Sequence, residues 1–160
     1  MTKFTVTRRV PFTPDQIYAI AVDVAAYKEF VPLLTGSTVR NRKPMPGGGE
    51  SFDTDLSISY KKLNISETLS SRVEADPVNR IIRAHADEGP VKSLDSEWKL
   101  VPAGEGECEI QYSVDYTLKS RSLQFLLSGM FDLMVRRVLV AFEHRARKIY
   151  GVPAAASAPI

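Results

Sequence analysis

Between Cys108 and Leu118 the chain alternates without a break: Cys108, Ile110, Tyr112, Val114, Tyr116 and Leu118 are apolar or aromatic, and Glu109, Gln111, Ser113, Asp115 and Thr117 are polar. A period of two puts each set on its own face of a strand, one face on a core and one in water. The scheme recurs where Phe52, Thr54, Leu56, Ile58 and Tyr60 share one parity, and where Leu94, Ser96, Trp98 and Leu100 do. Turn-forming clusters separate the runs at Pro46-Gly47-Gly48-Gly49, Asp76-Pro77-Val78-Asn79, Glu88-Gly89-Pro90 and Ala103-Gly104-Glu105-Gly106. Ser37 to Lys119 therefore reads as five or six successive antiparallel strands, each with one face that something else must cover.

The cover is the segment from Ser122 to Tyr150, where Leu123, Leu127, Met130, Phe131, Met134, Val138, Ala141, Phe142 and Ile149 fall on one helical stripe. At 1.5 Å per residue that helix would run roughly 40 Å, the breadth of a sheet. Ser122 suits an N-cap, and Arg145, Arg147 and Lys148 suit the negative end of the helix dipole. Ahead of the strand run, Phe4 to Val10 reads as a first strand. Thr13-Pro14-Asp15-Gln16 reads as a helix start, with Thr13 as N-cap, Pro14 at the first helical position and Gln16 closing a capping box. Two short helices follow, one through Ala21 and one from Val24 to Phe30. A strand, two small helices, antiparallel strands and one long helix make an α+β helix-grip fold, a curved sheet wrapped around its last helix. One helix cannot fill the hollow of such a sheet with side chains, so an internal cavity is expected. The domain is expected to span residues 1–151, with the non-periodic segment 152–160 as a disordered tail.

Four bulky apolar side chains crowd a segment that its proline marks as a loop, Phe30-Val31-Pro32-Leu33-Leu34. They read as a lid or rim for an apolar pocket, a membrane-touching tip, or side chains tucked under the sheet. Glu67 shares the parity of Leu63, Ile65 and Leu69 and should point inward, where a carboxylate needs a partner or a raised pKa. It is a candidate for hydrogen bonding a polar ligand head, unless a bulge turns it out or a Lys or Arg neutralises it. Arg145 falls on the apolar stripe, either snorkelling to water or standing at the cavity mouth. Phe125 and Leu126 should face away from the sheet and, with Val31, Leu33 and Leu34, form a docking patch for a bilayer, a protein partner or a second copy.

Charge and catalytic motifs exclude more than they assign. A formal net charge of +2 is too small to predict specific DNA binding by field strength. The single cysteine, Cys108, forms no internal disulfide and fits a reducing compartment. The N-terminus shows no secretory signal, and no apolar stretch is long enough to span a bilayer, so a cytoplasmic protein with at most peripheral membrane contact is expected. His85 and His144 stand at no metal-ligand spacing, and the nucleophile elbow Gly-x-Ser-x-Gly does not occur. Gly104-Glu105-Gly106 is a hairpin turn with no helix behind it to cradle a phosphate. Neither a metal, a cofactor nor an enzyme activity is expected.

Three segments resemble the coenzyme Q-binding and ribosome association toxin proteins of the START-like polyketide cyclase superfamily, whose fold is the START/Bet v 1-like helix grip. They are Val22-Asp23-Val24-Ala25-Ala26-Tyr27-Lys28-Glu29-Phe30-Val31-Pro32, then Glu88-Gly89-Pro90 with Glu97-Trp98-Lys99-Leu100-Val101-Pro102, and Val140-Ala141-Phe142-Glu143-His144-Arg145-Ala146. The resemblance implies binding of ubiquinone or a related polyprenyl lipid in the cavity, in support of respiration or quinone synthesis, at the cytoplasmic side of a bacterial inner membrane or in mitochondria. On that reading the lining draws on Phe30, Val31, Leu33, Leu56, Ile58, Ile65, Trp98, Tyr112, Val114, Leu127, Phe131, Met134 and Val138, with Glu67 near the head. The same resemblance also implies a large-subunit ribosome partner, for which Arg40, Arg42, Lys43, Lys61, Lys62, Arg136, Arg137 and Arg147 are the available cations. A polyketide cyclase or aromatase activity follows from superfamily membership alone, with no acid-base pair to name.

Overall fold

In the computed structural model of the chain, which describes residues 2–119, 124 and 131–151, the alternating segments become one antiparallel sheet. Its strands are β1 (Thr2–Val10), β2 (Leu34–Pro44), β3 (Glu50–Tyr60), β4 (Ile65–Asp76), β5 (Ile81–Ala86), β6 (Val91–Pro102) and β7 (Cys108–Leu118). They lie in the order β1-β7-β6-β5-β4-β3-β2, so β2 to β7 form a meander and β1 closes the far edge beside β7. The turn from β3 to β4 has no glycine or proline to announce it. Lys61–Leu63 make a single 3-10 turn and Asn64, at φ 53°, takes the left-handed position that asparagine tolerates. Leu63 thus belongs to the turn and not to the inward parity of β4. Gly49 answers a different need, since a β-carbon there would collide with the Ala75 carbonyl oxygen across the sheet.

Between β1 and β2 run helix α1 (Pro14–Val22) and a 3-10 helix, Val24–Glu29. The capping box forms as expected: Gln16 N–H donates to Thr13 Oγ1 at 3.1 Å, and Thr13 N–H donates to Gln16 Oε1 at 2.9 Å. Helix α2 (Phe131–Tyr150) ends the described chain. Of the expected first half of that helix, Gln124 is described and helical, whereas Leu123, Phe125, Leu126, Leu127 and Met130 lie outside the described residues, as does the segment 152–160. At the C-terminal end of α2, Leu139, Phe142 and Ala146 join Val10, Phe12, Ile17, Leu100 and Ile110 in a closed core. Burial there pushes the Cys108 thiol up to about 11, so it stays protonated and unreactive.

A buried carboxylate fixes the rotation of α2. Glu143 is only 8% exposed, and its Oε1 accepts from Arg8 Nε at 3.0 Å while its Oε2 accepts from Arg147 Nη2 at 2.8 Å. Burial alone would raise its pKa; the hydrogen bonds and charges of Arg147 and Arg8 outweigh burial and hold it below the usual value.

The outer face of the sheet is wet and charged. Lys3, Asp115, Asp95, His85, Arg72, Asp53 and Arg40, one from each strand, stand directly opposite one another across its whole width. Some neighbours of opposite sign in this row pair, as when Arg72 Nε reaches Asp53 Oδ1 at 3.0 Å and His85 Nδ1 reaches Asp95 Oδ1 at 2.7 Å. The hydrogen bond to Asp95, aided by the charge of Asp87, raises the His85 pKa above its ordinary value.

Two outcomes follow from these charges. Replacing Glu143 with Gln should lower the thermal midpoint by roughly 4–8 °C, as expected when about 2 kcal/mol of charge-assisted bonding is lost. A carboxyl held low stabilises the fold above its unfolded-state pKa and loses that contribution as pH falls through the folded value. The gap between parent and variant should therefore narrow on acidification, and a gap that stays constant into strong acid would contradict the clamp. For His85 the sign reverses: its contribution is present below the unfolded-state value and fades as pH rises through the folded one. An NMR titration should place its midpoint above that of a free imidazole, and Asp95→Asn should bring it down; a midpoint indifferent to that change would refute the pairing.

Candidate ligand-binding cavity

Where the closed core stops, an aromatic floor begins. The Phe142 ring is fully buried and lies 4.6 Å from Trp98, 5.4 Å from Tyr27 and 5.1 Å from Phe30, centroid to centroid. Trp98 in turn is 4.8 Å from Tyr112, its neighbour in register on β7. The Tyr27 hydroxyl donates to the Ala21 carbonyl, which ties the 3-10 helix to the end of α1. Against Trp98, Tyr112, Tyr27 and Phe142 lies a cavity of about 310 Å³, at the lower end of the range for small-molecule sites.

Its walls are the inner parity of the sheet and the underside of α2. β3 and β4 supply Leu56, Ile58, Leu69 and Val73, the middle strands supply Ala84, Leu94 and Val114, and α2 supplies Met134, Val135 and Val138. The loop residues Val31 to Leu33, with Leu34 at the start of β2, complete the wall. Leu56, Ile58, Leu69, Leu33 and Met134 are half-buried whereas Trp98, Val114 and Phe142 are buried, so the cavity opens at the end away from the aromatic floor. Leu33 adopts φ 70°, a left-handed conformation that costs a leucine about 1–2 kcal/mol. The Ser59 N–H, donating to the Leu33 carbonyl at 3.0 Å, holds that conformation at the rim.

Electrostatically the cavity is neutral. Among the described residues that line it there is no Asp, Glu, Lys, Arg, His or Cys. Its ionisable groups are two phenols. Burial pushes Tyr112 up to about 12, against a smaller downward pull from Ser96, and burial raises Tyr27 further still. Neither can act as a base near neutrality. Among the described residues no cluster of three or more His, Cys, Asp or Glu is placed to hold a metal ion.

The structure brings together Val31, Leu33, Leu56, Ile58, Trp98, Tyr112, Val114, Met134 and Val138 of the expected lining. Leu127 lies outside the described residues, as does the side chain of Phe131. Three expectations need correction. Phe30 does not face the cavity: it packs edge-on against Phe142 and Tyr27, and the Arg145 guanidinium covers its ring at 5.1 Å while pairing with Glu29 at 3.3 Å. Arg145 accordingly seals the back of the floor, with no part in the mouth. Ile65, opposite Tyr60 at the first position of β4, falls beyond the lining.

Glu67 keeps the inward parity, opposite Ile58, but is exposed. No bulge turns it out, since β3 and β4 pair in continuous register; β5 pairs with β4 only from Arg72 onward, so at Glu67 that edge of β4 has no β5 partner. Sequence parity missed Tyr27, which sits on a 3-10 helix where no period of two operates, and Ser71, whose hydroxyl reads as a solvent group.

With this geometry in place, comparison with known proteins is informative. The ribosome association toxin RatA of Escherichia coli is 27% identical over 150 residues, covering 94% of this chain and 90% of its own length. A mitochondrial coenzyme Q-binding protein of Xenopus laevis is 27% identical over 164 residues, covering 99% of this chain and 64% of that protein. The crystal structure of the Streptomyces aromatase/cyclase Zhui superimposes with a TM-score of 0.79 over 92% of this chain and 95% of its own, at 16% identity, a likeness of fold. The sheet curved round a C-terminal helix is thus the helix-grip fold of START-like proteins. Residues 10–143 match the sequence model of one family, and the chain belongs to it: polyketide cyclase / dehydrase and lipid transport.

Proposed function

We propose that the chain binds a neutral hydrophobic molecule, a polyprenyl benzoquinone such as ubiquinone, in this cavity, and serves respiration or quinone synthesis as a binding protein rather than an enzyme. The observation behind the reading is the cavity wall: apolar, aromatic-floored, and free of charged side chains among the described residues. Such a wall discriminates against anionic lipids, whose heads would be desolvated without a partner, and accepts an isoprenoid tail at about 0.8 kcal/mol per buried CH₂. The name of the coenzyme Q-binding relative supports the choice of ligand. Ring closure or dehydration of a polyketide needs groups that exchange protons near neutrality, and two phenols held protonated do not provide them.

The second reading, association with the ribosome, draws support from the names of the bacterial relatives. Half of the cations it would use are committed to carboxylates of the chain itself. Arg40 pairs with Asp55 at 2.9 Å, Arg42 with Glu50 at 3.3 Å, Arg136 with Asp132 at 2.9 Å and Arg147 with Glu143 at 2.8 Å. That mutual neutralisation weakens the field a phosphate backbone would feel. Membrane contact, on the quinone reading, is peripheral: no described helix is long and apolar enough to cross a bilayer.

Gentle purification followed by organic extraction and mass spectrometry should recover a polyprenyl quinone near one equivalent, and a Leu56→Trp variant, whose indole would occupy the cavity, should yield little. An extract without quinone, from a protein that also takes up none when it is added, would overturn the proposal. Salt-sensitive co-sedimentation of such an empty protein with large ribosomal subunits would favour the second reading.

A further inference from the structure

Deep in the apolar wall sit two hydroxyls with nothing to bond to. Thr54 of β3 is 2% exposed and Ser71 of β4 is 8% exposed, and both line the cavity. They stand directly opposite each other in the β3–β4 register, in a row whose neighbours are Phe52 with Val73 on one side and Leu56 with Leu69 on the other. Neither side chain hydrogen-bonds to another described residue, and neither oxygen is sealed from the cavity space. The other polar groups of the wall are differently placed: the Tyr27 hydroxyl is committed to the Ala21 carbonyl, and Tyr112 has Ser96 beside it.

A hydroxyl in an apolar wall with no protein partner must be satisfied by water or by a polar atom of a ligand, whereas valine and alanine would fill these two positions with no such need. Directly opposed residues on one face have β-carbons about 4.5–5.5 Å apart, close enough for both hydroxyls to converge on one atom. Each hydroxyl can donate one hydrogen, and a carbonyl oxygen has two lone pairs to receive them. A carboxylate or phosphate would also accept both, but the lining holds no cation among the described residues to compensate its charge.

We infer that Thr54 and Ser71 form the polar subsite of the cavity, a pair of donors that grips a single carbonyl oxygen of a neutral ligand head and seats that head against β3 and β4. The inference rests on the proposed function and deepens it. It replaces Glu67, which is exposed, as the group that recognises the head, and it turns a merely greasy cavity into one that tells an oxygenated head from a plain hydrocarbon.

The test uses displacement of the neutral dye N-phenyl-1-naphthylamine by two competitors of equal chain length, 2,3-dimethoxy-5-methyl-6-decyl-1,4-benzoquinone and decylbenzene. The parent protein should bind the quinone about tenfold more tightly, the worth of a hydrogen-bonded head. Thr54→Val combined with Ser71→Ala should erase that preference while leaving decylbenzene binding intact, and Thr54→Ser, which keeps the hydroxyl, should retain it. If neither competitor displaces the dye from the parent protein, the hydrophobic-ligand reading itself fails. If both bind and the double variant keeps the quinone preference, the subsite is wrong. Equal weakening of both competitors would also overturn it, because the two positions would then shape the cavity without recognising the head.

Discussion

One helix has to close one side of a seven-stranded curved sheet, and the contact that decides how it does so is the ring of Phe142 against Trp98 at 4.6 Å. Such aromatic pairs contribute about 0.5–1.5 kcal/mol beyond the area they bury. Their larger effect here is positional. Toward the C-terminus of Phe142 the helix sits down on α1 and β1 and the space is filled; toward its N-terminus the same helix stands off from β3 and β4 and the space stays open. A single contact therefore marks both the top of the core and the floor of the cavity.

That contact depends on the rotation of α2, which the adjoining turn fixes from other directions. Glu143, the next residue, is turned by about 100° and reaches Arg8 on the edge strand. Arg145 lies over Phe30 and meets Glu29, so the 3-10 helix is held against the same turn. Rotating the helix enough to swing Phe142 out of the floor would break both ion pairs. Ala146, buried on the core side of that turn, leaves room for the close approach.

How much of this was legible in the sequence depended on which physical signal was at work. A period of two over Cys108 to Leu118 and a period of 3.6 near the end are strong local signals, and the run of antiparallel strands and the architecture followed from them, as the capping box did from Thr13 and Gln16. The β3–β4 turn escaped notice because Asn64 alone supplies its left-handed residue. The division between core and cavity left no trace in the pattern, since Val10 in the core and Val114 in the cavity wall are the same residue type at the same inward parity. Parity predicted which face Glu67 is on but could not show that β5 stops short of it. Phe30 looked like part of a greasy rim because nothing local reveals that Arg145, 115 positions away, covers its ring. Glu143 was hidden for the same reason, its partner Arg8 being 135 positions distant.

The chemistry of the cavity follows from how the alternation sorts charge. The charged residues of the cross-sheet row from Lys3 to Arg40 lie on the outer face, and among the described residues the cavity wall on the other face is left to uncharged side chains. A helix-grip cavity can support proton transfer only if a group that ionises near neutrality breaks this sorting and points inward, and among the described lining residues none does. Hydroxyls such as Thr54 and Ser71 can point inward at modest cost because they need one partner and no counter-charge. The fold is common to binding proteins and cyclases, so the distinction between them lies in the few inward positions where the alternation admits polarity. Here those positions hold Thr54 and Ser71, and on the proposed reading their hydroxyls are the donors that would recognise an oxygen of the ligand.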